Sequence, residues 1–368
     1  MSGILVHEWL SRTGGSENVF ESLSEVFPSA RRYCLWNESG GRFEGVKETW
    51  LARTPLKGRK VLALPLMPLA WRTLPSEDAE WLLCSSHLFA HHARFAGPAR
   101  GAPKLVYVHT PARYIWVPEL DGRGAGPVAR AAASALKSLD RRRASEPLAL
   151  AANSRFVADR IAGAWGREAT VIHPPVDSAA FLSEARLTEQ ERSALEALPT
   201  EFVLGFSRFI PYKRLDLVIE AGAAAGLPVV LAGAGPEEQR LRDLAEERYP
   251  GRVFFVVGPS TEMYRALQQR ALVLVFPPIE DFGIVPVEAM AAGTPVVANT
   301  LGGTAESVRH GETGALTADW SRAALRDAIA TALAANPDAC RARAADFSAE
   351  VFAGRIRSWV AEHAAVVP

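Results

Sequence analysis

Cysteine is scarce in this chain, and the few cysteines present lie far apart. Cys34, Cys84 and Cys340 are the whole set among 368 residues. An odd number of widely spaced thiols supports neither a disulfide framework nor a zinc cluster, so a reducing compartment is the simpler interpretation. Asp-x-Asp triplets are absent too. A divalent ion bridging a diphosphate would therefore have no obvious ligand set, and we expect no metal site.

Net charge and long apolar segments are missing as well. The 41 Lys and Arg residues balance 41 Asp and Glu residues. This balance disfavours general electrostatic binding of nucleic acid. The N-terminus has neither the basic start nor the apolar core of a signal peptide. No uncharged run long enough to span a bilayer is free of Pro and Gly. We therefore expect a cytoplasmic protein, and attachment to a membrane surface stays open.

Short apolar runs alternate with helical patterns through most of the sequence. Residues 4–9 and 202–206 are typical of buried strands, and residues 14–27 and 215–224 are typical of amphipathic helices. Strands that alternate with helices predict βαβ units and mostly parallel sheets covered by helices on both faces. The expected fold class is therefore α/β.

The length favours two domains of this kind. Two prolines in the segment His173-Pro174-Pro175-Val176-Asp177 interrupt both ladder and helix bonding, which marks the joint between domains. We predict an N-terminal domain at 1–174 and a C-terminal domain at 175–346. A final helix within 347–368 is expected to pack back on the first domain.

An acidic loop follows the predicted strand at 271–276. Ligands of doubly wound sheets sit at the carboxyl ends of strands, where loops meet helix N-termini. Gly283 lets the backbone approach a ligand, and Pro286 suits the first turn of a helix. Glu280 and Glu288 would then face one crevice. The alternative is that Glu288 complements the helix dipole while Glu280 is solvated.

Two cations follow another predicted strand, at 202–206. Arg208 and Lys213 should reach the same crevice as the acidic loop. Two cations beside two carboxylates can form an internal salt-bridge network. They can equally clamp a diphosphate while the carboxylates hold hydroxyl groups. The sequence leaves both possibilities open.

The first half of the chain carries weaker signals. Gly14 and Gly15 at a predicted helix start could present bare N–H groups to an anion, although such a pair is more often a tight turn. His109 ends the predicted strand at 105–109. With Arg113 and aromatic residues close behind, it could line a sugar site. The alternative is a packed histidine beneath a loop.

Three further segments are predicted to be structural. His91 and His92 lack a third ligand at a recognised spacing, so we expect a solvated helix face. Basic clusters occur at 57–60 and 141–143, and the first precedes an apolar run at 61–71. A lipid-surface contact is conceivable for this run. Its prolines break the helix that such a contact would use, so a buried or interdomain segment is the expectation.

Taken together, these motifs resemble the retaining glycosyltransferases of family four, which have the GT-B fold. The resemblance covers nearly the whole chain and is anchored by Glu280 and Glu288, with seven residues between them. The sequences of residues 109–114 and 280–284 are most similar to those of bacterial mannosyltransferases of the WbaZ-like O-antigen branch. The supporting residues are Gly14, Gly15, His109, Asn153, Ser154, Arg155, Arg208 and Lys213.

The resemblance implies two doubly wound, Rossmann-like parallel-sheet domains that face a cleft. The second domain would bind the donor: Glu288 would accept hydrogen bonds from the ribose, and Arg208 and Lys213 would neutralise the departing diphosphate. Glu280 would hold sugar hydroxyls, and His109 would sit beside the transferred sugar. The remaining donor contacts implied are Gly14, Gly15, Phe282, Gly283, Ile284 and Val285. The acceptor contacts implied are Arg113, Tyr114 and Trp116.

The implied function is retaining, metal-independent transfer of a hexose. The donor would be a nucleotide-diphosphate sugar, GDP-mannose-like or a UDP-sugar, serving as co-substrate with no separate cofactor. The acceptor would be a hydroxyl group of a glycan, a glycolipid or a natural product. Two alternatives stay open: a nucleotide-sugar epimerase of the same fold, and a non-catalytic nucleotide-sugar sensor.

Overall fold

The computed structural model describes residues 2–116 and 127–364, which divide into two units. Unit 1 comprises Met1–Pro175 and Ala349–Pro368, and unit 2 comprises Val176–Ser348. The first division therefore falls one residue after the boundary expected from the prolines, and the second falls two residues after the expected one.

The described strands of unit 1 form one parallel sheet. They are β1 (Gly3–His7), β2 (Arg31–Cys34), β3 (Val46–Glu48), β4 (Trp81–Ser86), β5 (Lys104–Val108), β6 (Ala149–Ala152) and β7 (Thr170–Val171). Their order is β3-β2-β1-β4-β5-β6-β7. Strands β1, β4 and β5 are buried along their whole length. Such continuous burial is typical of parallel strands with helices on both faces.

The helices of unit 1 cover this sheet. They are α1 (Gly15–Val26), α2 (Lys60–Ala63), α3 (Met67–Arg72), α4 (Arg113–Trp116), α5 (Pro127–Ala144) and α6 (Arg155–Trp165). Helix α1 buries Val19, Phe20 and Leu23 on one face, which is the amphipathic spacing expected from the sequence. Ser154 caps α6, since its hydroxyl accepts a hydrogen bond of 3.0 Å from the backbone N–H of Val157.

The described strands of unit 2 form a second parallel sheet. They are β8 (Val203–Phe206), β9 (Val229–Gly233), β10 (Val253–Val257), β11 (Val273–Phe276), β12 (Val296–Asn299) and β13 (Gly314–Thr317). Their order is β10-β9-β8-β11-β12-β13. Val203 and Val273 join one apolar cluster, whereas Leu204 and Leu274 join the other. This alternation places a hydrophobic core on each face of the sheet.

Unit 2 also contains most of the remaining helices. They are α7 (Glu189–Glu196), α8 (Leu215–Ala225), α9 (Glu238–Arg248), α10 (Thr261–Arg270), α11 (Ile284–Ala291), α12 (Thr304–Ser307), α13 (Arg322–Leu333) and α14 (Pro337–Ala345). Helix α11 begins at Ile284, so Pro286 lies in its first turn, where no intrahelical N–H bond is lost. No helix among the described residues combines the length and the apolar character that crossing a bilayer requires.

The last helix, α15 (Ala349–Ala364), belongs to unit 1. Its residues Phe352, Ile356 and Trp359 are buried in the same apolar cluster as Leu5 of β1 and Phe20 of α1. The final segment of the chain therefore completes the core that the first strand begins.

Strand order reverses once in each sheet, and each reversal marks a crevice. In unit 2 the reversal lies between β8 and β11, and in unit 1 it lies between β1 and β4. Ligands of open α/β sheets bind outside the carboxyl ends of strands at such a point. The segments after β8 and β11 carry Arg208, Lys213 and Glu280, and Glu288 follows in α11.

The expectation that residues 61–71 form a buried segment is wrong for part of it. Val61, Leu62 and Leu69 are 69%, 61% and 52% exposed, whereas Met67 and Trp71 are fully buried. Pro65 lies between the two short helices α2 and α3, and Pro68 occupies the first turn of α3. Each short helix buries one side only, and the apolar side chains on its other side face solvent.

Candidate functional site

A partly buried ion pair joins the two loops at the reversal point of unit 2. Lys213 ends the 3-10 turn Pro211–Lys213, and its Nζ donates a hydrogen bond to Oε1 of Glu280. The two side chains are only 12% and 16% exposed. Of the two possibilities that the sequence left open, the structure therefore contains the internal salt bridge. The pairing also fixes the ammonium group at the crevice, where it can meet an anion.

Arg208 follows strand β8, as Lys213 does, but its environment is different. Its side chain is exposed. Within residues 2–116 and 127–364 it makes no hydrogen bond and no ion pair. The crevice thus offers one guanidinium group whose donors are not engaged by the protein, and guanidinium donors suit phosphate oxygens.

Glu288 is held from a neighbouring helix. The hydroxyl of Tyr264, in α10, donates a hydrogen bond to Oε2 of Glu288, in α11. The ring of Tyr264 stacks on Phe206, with ring centroids 3.8 Å apart. Burial raises the pKa of Glu288 to about 7, because desolvation outweighs the stabilising hydrogen bond from Tyr264. The carboxyl group therefore keeps its proton to a higher pH than an exposed glutamate does.

A second glycine loop supports the acidic loop. The backbone N–H of Gly303 donates a 2.8 Å hydrogen bond to the carbonyl of Glu280, and the Thr304 hydroxyl donates a 3.3 Å hydrogen bond to the carbonyl of Phe282. A Cβ at Gly303 would collide with the backbone of Asp281. Sequence reasoning missed this loop. Its signal was a Gly pair directly after the strand that ends at Asn299.

The start of α11 lies next to this glycine loop. Gly283 caps the helix with a φ of 88°, a left-handed conformation that favours glycine. Ile284 and Val285 follow in the first turn, where backbone N–H groups have no intrahelical acceptor. The Phe282 side chain is buried beside Phe347, so only its backbone can face a ligand. Their predicted contacts with a donor sugar stay predictions.

In unit 1, His109 belongs to a buried chain of hydrogen bonds. Its Nε2 lies 2.8 Å from the hydroxyl oxygen of Ser85, which lies 3.0 Å from Nδ1 of His7. The three residues come from the carboxyl ends of β5, β4 and β1. Burial lowers the pKa of His109 to about 3, and it lowers the pKa of His7 as well. Both imidazoles are therefore neutral at pH 7.

Asn153 fixes the backbone next to that chain. Its side-chain amide donates a 3.0 Å hydrogen bond to the carbonyl of His109. His109 itself is 9% exposed. The histidine is thus packed, as one of the two expectations had it. A role beside the transferred sugar stays a prediction.

The glycine pair of unit 1 is covered by an acidic side chain. Gly14 precedes α1, and the carboxylate of Glu17 occupies the place that a Cβ at Gly14 would take. Glu17 accepts hydrogen bonds of 3.2 Å from the backbone of Ser11 and 2.8 Å from the hydroxyl of Ser16. A negative group therefore already lies at this helix start. The predicted contact of Gly14 and Gly15 with phosphates stays a prediction.

The predicted acceptor residues lie in α4. The Trp116 indole N–H donates a 2.7 Å hydrogen bond to Oδ2 of Asp140, so it is engaged within unit 1. Arg113 is partly buried at the start of the same helix. The side chain of Tyr114 lies outside the described residues. The acceptor role of these three residues stays a prediction.

His91 and His92 do not form a solvated helix face, and that expectation is wrong. Both are fully buried. Their Nε2 atoms lie 3.1 and 3.2 Å from Oδ1 of Asp140, whose Oδ2 accepts a 2.7 Å hydrogen bond from the Trp165 indole. The third group that the sequence lacked at a short spacing thus comes from α5. Asp140 is the centre of a polar network that ties α5 to α6.

Comparison with known proteins identifies unit 2. Residues 188–347 match the family described as glycosyl transferases, group 1. Most of unit 2 is thus similar to group 1 glycosyl transferases. The matched region contains Arg208, Lys213, Glu280 and Glu288, and also Tyr264, which sequence reasoning did not select. A tyrosine on a helix face is more often a core residue than a site residue, so its pattern gave no signal.

Two mycobacterial proteins are similar to part of this chain. The GDP-mannose-dependent alpha-(1-6)-phosphatidylinositol monomannoside mannosyltransferase of Mycobacterium tuberculosis is 32% identical over 198 residues, 49% of this chain and 51% of that protein. The D-inositol 3-phosphate glycosyltransferase of Mycobacterium marinum is 38% identical over 156 residues, 40% of this chain and 33% of that protein. The matches thus span a third to a half of the relatives' length.

Solved structures resemble the whole chain. The Anabaena protein Alr3699/HepE in complex with UDP has a TM-score of 0.72 at 18% identity, covering 98% of this chain and 100% of its own. Sucrose-phosphate synthase from Thermosynechococcus elongatus has a TM-score of 0.70 at 19% identity, covering 100% of both chains. The GT-B fold predicted from the sequence, with its two parallel-sheet domains, is confirmed, and so is the resemblance to glycosyltransferases.

Proposed function

We propose that this protein is a retaining glycosyltransferase that moves a hexose from a nucleotide-diphosphate sugar to a hydroxyl acceptor. One observation carries the proposal. Within the region that matches group 1 glycosyl transferases, the Lys213–Glu280 pair and Arg208 follow neighbouring strands at the point where strand order reverses, and Arg208 makes no ion pair with the described residues. That is where a nucleotide is expected in an open α/β sheet.

The charges of this crevice suit the chemistry of the donor. As the bond to the sugar breaks, negative charge develops on the leaving diphosphate. Arg208 and Lys213 would stabilise that charge without a metal ion, since fixed cations in a water-poor site act strongly on developing charge. Lys213 needs little reorganisation because Glu280 already holds it. Glu280 would then accept hydrogen bonds from sugar hydroxyls.

Glu288 would bind the ribose of the donor. A carboxylate can accept hydrogen bonds from both hydroxyls of a ribose diol. Tyr264 fixes one carboxylate oxygen through its hydrogen bond, so the other is free to turn toward a ligand. Because the raised pKa leaves part of the population protonated at pH 7, we propose that ribose binding draws Glu288 into its ionised form.

The mechanism we propose retains the anomeric configuration. The leaving phosphate would itself take the proton of the acceptor hydroxyl on the face from which it departs. The neutral His109 would contact the transferred sugar without adding positive charge to an oxocarbenium-like transition state. Arg113, Tyr114 and Trp116 are proposed to line the acceptor side.

GDP-mannose is the first donor to test, and UDP-sugars are the second. The M. tuberculosis relative is named as GDP-mannose-dependent, and the Anabaena structure holds UDP. For the acceptor we propose a glycan, a lipid-linked sugar or a small polyol. A cytoplasmic enzyme that touches membranes peripherally would suit the exposed Val61 and Leu62 beside Lys60. No nucleic-acid partner is proposed.

The test is a donor panel with three readouts. The purified chain is incubated with GDP-mannose, UDP-glucose and UDP-galactose, and nucleotide release, sugar transfer and anomeric configuration are followed, the last by NMR. We expect one nucleotide to dominate and the product to keep the donor's anomeric configuration. An inverted product would overturn the retaining mechanism. Binding without turnover would favour a sensor, and interconversion of two nucleotide sugars would favour an epimerase.

A further inference from the structure

Unit 1 contains a cavity that is separate from the proposed site. Its volume is about 640 Å³. Its wall includes Leu82 and Lys104 at the beginnings of β4 and β5, and Leu148 just before β6. Because the strands are parallel, this is the amino-terminal edge of the sheet. His109 and Gly14 lie beyond the carboxyl ends of strands, at the opposite edge.

The cavity wall is strongly basic. Among its lining residues a single carboxylate, that of Glu146, faces six cationic side chains. The positive groups therefore exceed the negative ones by five on a chain whose formal net charge is zero. The cations are Arg72, Arg94, Arg100, Lys104, Arg142 and Arg143.

Glu146 compensates only part of this charge. It accepts hydrogen bonds of 2.8 Å from Arg72, 3.0 Å from Lys104 and 2.7 Å from Arg143. Burial raises the pKa of Glu146, but the charge of Lys104 and the hydrogen bonds from Arg143 and Lys104 bring it down to about 2. One carboxylate thus serves three cations and stays ionised at neutral pH.

The other three cations have no protein partner. Arg94, Arg100 and Arg142 are exposed. In the ranges that the structure describes, their side chains make no hydrogen bond and no ion pair. Burial lowers the pKa of Arg72. The charge of Glu146 and its hydrogen bond oppose this shift, and the charges of Arg143 and Arg94 add to it. A bound anion would add negative charge where Glu146 alone does not balance the cations.

We propose that this cavity binds a small ligand through a phosphate or diphosphate group. Guanidinium groups match phosphate oxygens with paired, charge-assisted hydrogen bonds. The volume falls within the range of roughly 300–1,000 Å³ that is usual for small-molecule sites. A ligand with at least two negative charges offsets the excess best. The phosphate can belong to a soluble metabolite or to the headgroup of a membrane lipid, and both offer the same chemistry.

The first experiment measures pyrophosphate binding by calorimetry. The parent protein is the full chain carrying Arg208→Ala and Lys213→Ala, which disables the proposed donor site, so failure here is distinguishable from failure of the proposed function. In this background we expect saturable binding that weakens as salt is raised. Adding Arg94→Ala and Arg142→Ala should weaken it at least tenfold, since each removes charge-assisted hydrogen bonds.

The control variant removes the same charge elsewhere in unit 1. Arg355→Ala with Arg357→Ala changes two exposed arginines of α15, and it should leave binding within twofold of the parent. Arg100→Glu is a second variant of the cavity. It places a carboxylate on the wall and should abolish binding. Unfolding temperatures of all variants should agree with the parent's, because the exposed side chains replaced here make no hydrogen bond and no ion pair in the described structure.

The second arm separates the two sources of phosphate. Flotation with vesicles of phosphatidylcholine, with and without phosphatidic acid, tests the lipid headgroup. Binding of pyrophosphate that depends on Arg94 and Arg142 supports a soluble ligand. Vesicle binding that requires phosphatidic acid and the same arginines supports a headgroup. The proposal is overturned if neither probe binds, or if both cavity variants bind as tightly as the parent. The arginines would then be merely solvated.

Discussion

The hydroxyl of Tyr264 donates a hydrogen bond to the carboxyl group of Glu288, which lies 24 residues further along the chain. The stacked ring of Phe206 covers Tyr264 on one side. Glu288 is therefore held by a side chain from α10 that is itself wedged against β8. In a site where this carboxyl group binds ribose, Tyr264 would position it without touching the reacting atoms.

Replacing Tyr264 with Phe should weaken donor binding more than it slows turnover. The change removes the hydrogen bond that orients Glu288 and keeps the stacked ring. A lost hydrogen bond to a charged group costs about 1.5–3 kcal/mol, so we expect KM for the nucleotide sugar to rise about tenfold or more. Steady-state kinetics give KM and kcat separately. Tyr249→Phe, in the same unit, is the matched control. A fall in kcat at unchanged KM would contradict the positioning role.

Removing either cation of the unit 2 crevice should slow transfer strongly. By analogy with an oxyanion donor, Arg208→Ala and Lys213→Ala are each expected to lower kcat about 10²–10³-fold. Arg208 has no partner in the described structure, so its loss should leave the unfolding temperature unchanged. Loss of Lys213 should lower it slightly, because Glu280 would keep a partly buried charge without its partner.

Arg326→Ala is the control for these two variants, since Arg326 is 68% exposed on α13. It should leave turnover and stability unchanged. Full turnover in both crevice variants would show that the diphosphate is bound elsewhere.

Glu288 should make folding stability depend on pH near neutrality. In the unfolded chain it ionises near 4.5, whereas the folded protein raises its pKa to about 7. Between these values the folded state holds the proton more firmly, so this side chain lowers the free energy of unfolding as pH rises from about 4.5 to 7. Denaturant titrations give the free energy of unfolding at each pH. It should fall between about pH 4.5 and 7 in the parent, relative to Glu288→Gln. Parallel curves would mean that the pKa is not raised.

The protonation of Glu288 should also make KM for the nucleotide sugar depend on pH. If ionised Glu288 accepts the ribose hydroxyls, KM for the nucleotide sugar should fall as pH rises through 7. Glu288→Gln cannot ionise, so its KM should be higher and flat in this range. A KM of the parent that rises with pH would contradict ribose binding by the carboxylate.

Ser85 should be important for the stability of unit 1. Its hydroxyl lies between His7 and His109, which are both buried. Ser85→Ala leaves two imidazole nitrogens without this partner, and a buried polar group left unsatisfied costs about 1–3 kcal/mol. Urea unfolding followed in unit 1 should show a loss of this size. Ser29→Ala, at an exposed position, is the control and should cost almost nothing.

The architecture could be predicted from the sequence because the inner strands of both sheets are mostly apolar. Runs such as residues 203–206 and 273–276 are buried on both faces, and this is visible as composition without knowledge of the neighbours. The loops after such strands must meet at one edge. The sequence could therefore predict that Lys213 and Glu280 lie close together. It could not predict that they form an ion pair.

The remaining contacts depend on which helix faces which. Tyr264 reaches Glu288 only because α10 packs beside α11, and His91 reaches Asp140 only because α5 lies across it. No local spacing encodes either contact. Val61 and Leu62 are apolar but exposed. Hydrophobicity alone does not predict which side of a short helix a residue occupies.

The return of α15 to unit 1 has a consequence for biosynthesis. Residues 176–348 are contiguous, so the glycosyltransferase domain can complete its core as soon as it leaves the ribosome. The first 175 residues cannot complete their core alone, because Phe352, Ile356 and Trp359 belong to the same apolar cluster as Leu5 and Phe20. This half is therefore made first but completed last.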